Sequence, residues 1–98
     1  MTDFWTTFRL HSDATYNERY RKLMDAFNTV SAEFWNGSTS FLAFSANVEI
    51  DRLAEFLKAA INPATDMIVV REISRDNVRY AGEPGKGFLR FFPSAKKV

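Results

Sequence analysis

Ninety-eight residues make one domain, and with 46% hydrophobic and 15% aromatic residues the chain can build a single core without metal or disulfide support. It has no cysteine, which excludes a disulfide framework, a thiol nucleophile and a cysteine-based zinc site, and which suits a reducing compartment. The net charge of +1 names no partner but is unevenly spread: residues 1–81 carry nine Lys/Arg against eleven Asp/Glu, while residues 82–98 carry Lys86, Arg90, Lys96 and Lys97 against Glu83 alone.

Met1-Thr2-Asp3-Phe4-Trp5 lacks the basic segment and apolar run of a signal peptide, and no apolar stretch approaches the ~20 residues that span a bilayer. The expectation is a cytoplasmic protein. From Phe4 to Leu10 the residues alternate, with Phe4, Thr6, Phe8 and Leu10 on one face and Trp5, Thr7 and Arg9 on the other, which predicts a strand. Thr15-Tyr16-Asn17-Glu18 has the form of a capping box. Behind it Tyr16, Tyr20, Leu23, Met24 and Phe27 form one stripe of a helix over about 15–28, with Arg19, Arg21, Lys22 and Asp25 on its other sides.

Val30 to Trp35 and Thr39 to Ala46 flank Asn36-Gly37, a pair suited to a tight hairpin turn, so these segments read as antiparallel strands. Asn47 is placed to cap a second helix whose apolar stripe is Ile50, Leu53, Ala54, Leu57, Ala60 and Ile61, stopped by Asn62-Pro63. Asp66 opens a fourth strand, Met67 to Ile73, whose continuous apolar start predicts burial on both sides. The order β-α-β-β-α-β is that of a ferredoxin-like α+β sandwich, a four-stranded antiparallel sheet with both helices on one face. A short fifth strand is expected over Asn77 to Ala81, closing a domain over 1–81. A basic, Phe-rich tail over 82–98 follows, with a turn from Gly82 to Gly87 and an extended segment from Phe88 to Phe92.

Three places carry candidate chemistry. Phe4, Phe8, Leu42 and Phe44 are expected under the helices, which turns Trp5, Arg9, Phe41 and Arg71 to the open face, where aromatic and Arg side chains could stack bases unless a second subunit or the tail covers them. His11 and Asp13 follow the first strand, the imidazole able to act as acid or base near neutrality and Asp13 able to hold a divalent metal or simply to serve the helix N-terminus. In the tail, Lys86, Arg90, Lys96 and Lys97 interleaved with Phe88, Phe91 and Phe92 suit either single-stranded nucleic acid or a strand added to a partner's sheet. Asp66, Glu72 and Asp76 are expected to be solvated, and no nucleophile elbow or Gly-rich phosphate loop is present.

The helix run Tyr16-Asn17-Glu18-Arg19-Tyr20-Arg21-Lys22-Leu23, the hairpin through Thr39-Ser40-Phe41, and the strand from Asp66 to Ile73 with a short extra strand after it together resemble the small CRISPR-associated endoribonuclease and VapD superfamily over about residues 4–81. Small SinR-like proteins look closer still. The resemblance implies a homodimer formed through the sheet and terminal strands. In some members it also implies cleavage of RNA or DNA by a metal held on an Asp at the end of the first strand; others act in toxin–antitoxin systems or have no nuclease activity. Here His11 falls nearest the expected Asp and Asp13 comes two residues late. The implied catalytic pair is therefore His11 and Asp13, with Asp13 as the ligand of a Mg or Mn ion, while Arg9 on the open face and the four basic residues of the tail are the nucleic-acid contacts the residues themselves suggest. Three readings follow: a dimeric nucleic-acid-acting protein of this superfamily, a non-enzymatic dimeric module that binds another protein in the manner of an antitoxin, and a small-molecule binder using the sheet face, for which the sequence offers no convergent polar set.

Overall fold

The computed structural model describes residues 1–73 and 77–98. In chain order the elements are β1 (Thr2–Arg9), α1 (Tyr16–Val30), β2 (Glu33–Ser38), β3 (Phe41–Ala46), α2 (Ile50–Lys58), β4 (Met67–Glu72), β5 (Arg79–Tyr80), α3 (Phe88–Phe91) and β6 (Lys96–Lys97). The first four long strands form an antiparallel sheet in the order β2-β3-β1-β4, the arrangement expected of a ferredoxin-like α+β fold.

Strand alternation decides what each face holds. Register pairs Phe4 with Phe44 and Thr6 with Leu42 on β3, and Phe8 with Ile68 on β4, so the even residues of β1 share one face with Leu42, Phe44, Ile68 and Val70. That face packs under Leu23, Ala26 and Phe27 of α1 and Leu53 and Leu57 of α2, and Phe4, Phe44, Leu23, Leu53 and Leu57 are almost wholly buried. The opposite face carries Trp5 beside Ala43 and Arg71, and Thr7 beside Phe41 and Val69. Trp5 stacks on Phe41 with ring centres 5.9 Å apart.

The C-terminal segment covers part of this outer face. Phe88, Phe91 and Phe92 pack with Trp35 and Ala43 into a second apolar cluster, supported by Phe41, Ile73, Val78 and Tyr80. Residues 88–91 form one helical turn and not the extended segment expected, because Phe88, Phe91 and Phe92 at i, i+3 and i+4 fall on one side only when the backbone coils. β6 pairs in parallel with β5, Arg79 opposite Lys96 and Tyr80 opposite Lys97. The boundary drawn between 81 and 82 therefore falls between the two strands of a small sheet.

Other local expectations change for physical reasons. The hairpin turns at Thr39 and Ser40, with Ser40 at φ 57°, while Asn36-Gly37 lies within β2 where the register slips between Trp35 and Ser38. A side chain at 37 has no room: a Cβ there would stand 2.6 Å from the Pro84 carbonyl oxygen and 2.7 Å from the Trp35 ring. The Trp35 indole Nε1 donates to that same Pro84 oxygen at 2.8 Å. Thr15 precedes α1 but makes no capping bond, and α2 starts after Glu49, not Asn47. β4 is an edge strand and not one buried on both sides, with Met67 39% and Val69 43% exposed. Asp76 lies outside the described residues.

Candidate functional site

β1 runs out at Arg9, and Leu10 to Thr15 carries the chain over to α1. Two carboxylates and one guanidinium organise this exit. Arg19, one turn into α1, donates from Nε to Thr15 Oγ1 at 3.1 Å, from Nη1 to Asp66 Oδ2, and from Nη2 to both the His11 carbonyl and Asp13 Oδ1 at 2.8 Å. Asp66, in the loop before β4, has a side chain with no exposure at all. Its Oδ1 accepts from the His11 N–H at 2.8 Å, and its Oδ2 accepts from the Asn62 N–H at 2.9 Å as well as from Arg19.

Burial alone would push the Asp66 carboxyl up, but the His11 and Asn62 N–H groups and the Arg19 guanidinium outweigh it and hold it down to about 2. Asp13 is also held below the usual carboxylate range, first by Arg19 and then by the N–H and hydroxyl of Thr15, which donate to its Oδ1 at 2.9 and 3.0 Å. The result is a closed knot that ties the exit of β1, the first turn of α1 and the loop before β4 together.

Of the residues predicted for catalysis, Asp13 lies inside this knot. His11 contributes its backbone to it, while its side chain belongs to an exposed residue at the rim. A Mg or Mn ion takes hard oxygen donors with room for water. Asp13 offers an oxygen that already faces a guanidinium, whose charge opposes a second cation. Among the described residues no three His, Asp or Glu side chains converge into a metal-holding group. The residues present do not fit such an ion.

The predicted nucleic-acid contacts divide. Arg9 is exposed at the end of β1 beside Met67, Lys86 is exposed in the turn before α3, and Lys96 and Lys97 are exposed on β6. Arg90 is exposed but paired within the chain: it bonds Asp3 of β1 at 3.1 Å and Glu33 of β2 at 3.3 Å, and its guanidinium lies 4.9 Å from the centre of the Phe91 ring. The three tail Phe rings, offered as stacking surfaces, are buried in the chain's own second cluster. Between that segment and the sheet lies a cavity of about 380 Å³ lined by Trp5, Trp35, Phe41, Val78, Phe88 and Phe92, with Ser38 its one polar neighbour, so it brings no convergent polar set.

Sequence reasoning missed the knot. The sequence pattern places Arg19 off the apolar stripe of α1 and Asp66 among the solvated strand-end charges, yet both are buried. The Thr15–Arg19 spacing of four was a visible signal; nothing in the sequence near Asp66 marks its partner 47 positions away.

No known protein family and no curated protein matches the chain. Among solved structures it is similar to a hypothetical protein, TT1823, from Thermus thermophilus, at a TM-score of 0.54 and 9% identity, over 76% of this chain and 83% of that one. At that identity the likeness concerns the fold alone. Among the described residues no helix is long and apolar enough to cross a membrane.

Proposed function

We propose that the protein is a cytoplasmic, dimeric, non-cleaving nucleic-acid-binding module of the kind its sequence resembles. The observation that carries this reading is the division of its charges. The carboxylates at the exit of β1, where the superfamily's metal chemistry would sit, are both engaged by Arg19. Arg9, Lys86, Lys96 and Lys97 are exposed, and each lacks a carboxylate partner within 4 Å among the described residues. Exposed cations without partners release counterions when they meet phosphate, and that is the driving force of sequence-independent binding. The dimer is supported by the exposed Met67 and Val69 on an edge strand, apolar surface that a second subunit would cover.

Fluorescence anisotropy of a labelled single-stranded oligonucleotide tests the binding. Four phosphate contacts give a log–log salt slope of roughly −3, at about 0.7 per contact. A flat salt response, or no binding at low salt, overturns it. Incubating RNA and DNA with Mg²⁺ or Mn²⁺ tests the rest. Cleavage by the wild type that is lost in a folded Asp13→Ala or His11→Ala variant would restore the nuclease reading.

A further inference from the structure

The two edges of the sheet are treated differently by the sequence. Natural proteins blunt exposed edges with bulges, charges, proline or a covering segment. At β2 the ladder slips at Asn36-Gly37, and the C-terminal segment docks on Trp35 through the Pro84 carbonyl. Among the described residues β4 is blunted only by charge at its C-terminal end. Met67-Ile68-Val69-Val70 runs in unbroken register with β1, without bulge, proline or lysine, and charge appears only at Arg71 and Glu72.

The phase of the ladder says which backbone groups are left over. The Ile73 N–H donates to the Asp3 carbonyl at 2.8 Å, and Asp3 stands opposite Ile73 in the register that pairs Phe4 with Glu72. In an antiparallel ladder such bonded pairs alternate. Met67, Val69 and Arg71 therefore bond to β1, and Ile68, Val70 and Glu72 turn their N–H and C=O groups outward. The Phe8 N–H bonding Ser40 on the other side of β1 agrees with this phase.

We infer that this edge pairs antiparallel with β4 of a second copy, in the register that sets Val69 opposite Val69 across a two-fold axis. The inference deepens the dimer reading above and rests on it. Continuing the same sheet keeps outer-face residues on the outer face, so only registers centred on a single residue are admissible. Centred on Val69, Ile68 and Val70 of the two copies exchange all four backbone bonds, every central side-chain pair is apolar, and Arg71 meets Met67. Centred on Val70, Glu72 falls against Ile68 and Arg71 against Val69; centred on Arg71, two like charges oppose each other; centred on Ile68, the ladder would need Asp66, whose N–H already bonds the Asn62 carbonyl at 2.8 Å. In the chosen register Asp66 falls opposite Glu72 beyond the paired segment, so the interface is confined to residues 67–71.

A chain without cysteine makes the test direct. Opposed residues at a non-bonded antiparallel position stand with Cα atoms about 4.5 Å apart, within the range a disulfide spans. Val69→Cys should form a cross-linked dimer under mild oxidation, and Val70→Cys far less. Val69→Glu puts two carboxylates on the axis and should weaken dimerisation at least about tenfold by sedimentation. Because Val69 is exposed, its thermal midpoint should stay near wild type. A dimer that persists in Val69→Glu and fails to cross-link at 69 overturns the edge pairing and leaves the dimer reading standing. Preferential cross-linking at 70 overturns the register. A wild-type chain that stays monomeric at tens of micromolar overturns both, and an edge that then pairs with an unrelated extended peptide assigns β4 to a foreign strand.

Discussion

Replacing Asp66 with Ala should be among the most damaging single changes in the chain. The substitution leaves the guanidinium of the buried Arg19 without its main counter-charge and strips the His11 and Asn62 N–H groups of their acceptor. Removing one partner of a buried pair costs about 3–5 kcal/mol, because the remaining charge stays out of water. Against a total of roughly 5–15 kcal/mol for a small domain, that is a large share. At about 4–8 °C per kcal/mol for a chain of this length it lowers the melting midpoint by about 12 °C or more. Asp66→Asn keeps one acceptor oxygen and should lose less. Combining Asp66→Leu with Arg19→Met removes both charges and should be less damaging than Asp66→Ala alone. Urea unfolding followed by the fluorescence of Trp5 and Trp35 measures all three. A loss under about 1 kcal/mol for Asp66→Ala, or a double variant as weak as the sum of its singles, refutes the argument.

The same carboxylate sets a pH dependence. Its folded-state value, about 2, lies below the ordinary 3.8, so the folded state binds this proton less readily than the unfolded one. The stabilisation is complete above about pH 4 and fades as pH falls through 2. At about 1.4 kcal/mol per pH unit it amounts to up to about 2 kcal/mol. Asp13, lowered in the same direction, adds to the loss. Asp66→Ala should therefore flatten the acid limb of the stability curve as well as lower it.

Gly37→Ala should destabilise the fold by about 1–3 kcal/mol, since the new Cβ meets the Pro84 carbonyl and the Trp35 ring, one of them backbone that cannot swing aside. Limited proteolysis should then cut residues 82–98 faster than in the wild type. Arg90→Ala removes exposed ion pairs to Asp3 and Glu33 and should cost only about 0–1 kcal/mol. Because Arg90 is held within the chain, its loss should leave oligonucleotide affinity unchanged, whereas Lys96→Ala with Lys97→Ala should shallow the salt slope.

The parts of this fold that local pattern dictates were legible. Alternation in β1 placed Phe4 and Phe8 inward and Trp5 and Arg9 outward, and the heavy residues of both helix stripes, Leu23, Phe27, Leu53 and Leu57, are in the core. What failed depended on distant segments. Asn36-Gly37 has the chemistry of a turn, yet the glycine is needed where the C-terminal segment comes down on Trp35, and the turn moves to Thr39-Ser40. β4 looked doubly buried because an apolar run does not record whether a strand is central or at an edge. Arg19 and Asp66 looked solvated because each is masked by charged or polar neighbours and meets the other only through the fold. The helical turn of the tail was legible too, since Phe88, Phe91 and Phe92 already carry helical spacing.

The two proposals meet on the outer face of the sheet. Register places Arg9 beside Met67 on β1 and β4, and the inferred dimer places Arg71 of the second copy on the other side of that same Met67. Pairing the edges would thus line up Arg9, Met67 and Arg71 twice, once on each side of the axis, and turn two separate arginines per chain into two cross-sheet pairs on one continuous sheet. A single strand that tracks both pairs would neutralise more phosphates than either monomer could, so its salt slope should steepen with dimerisation by about 0.7 for each added contact. Val69→Glu, which removes no cation, should then weaken oligonucleotide binding and shallow that slope together with the loss of the dimer. Anisotropy and sedimentation on the same samples decide it. Affinity and slope that stay at wild-type values in a monomeric Val69→Glu protein would separate the two functions and confine phosphate contact to the single chain.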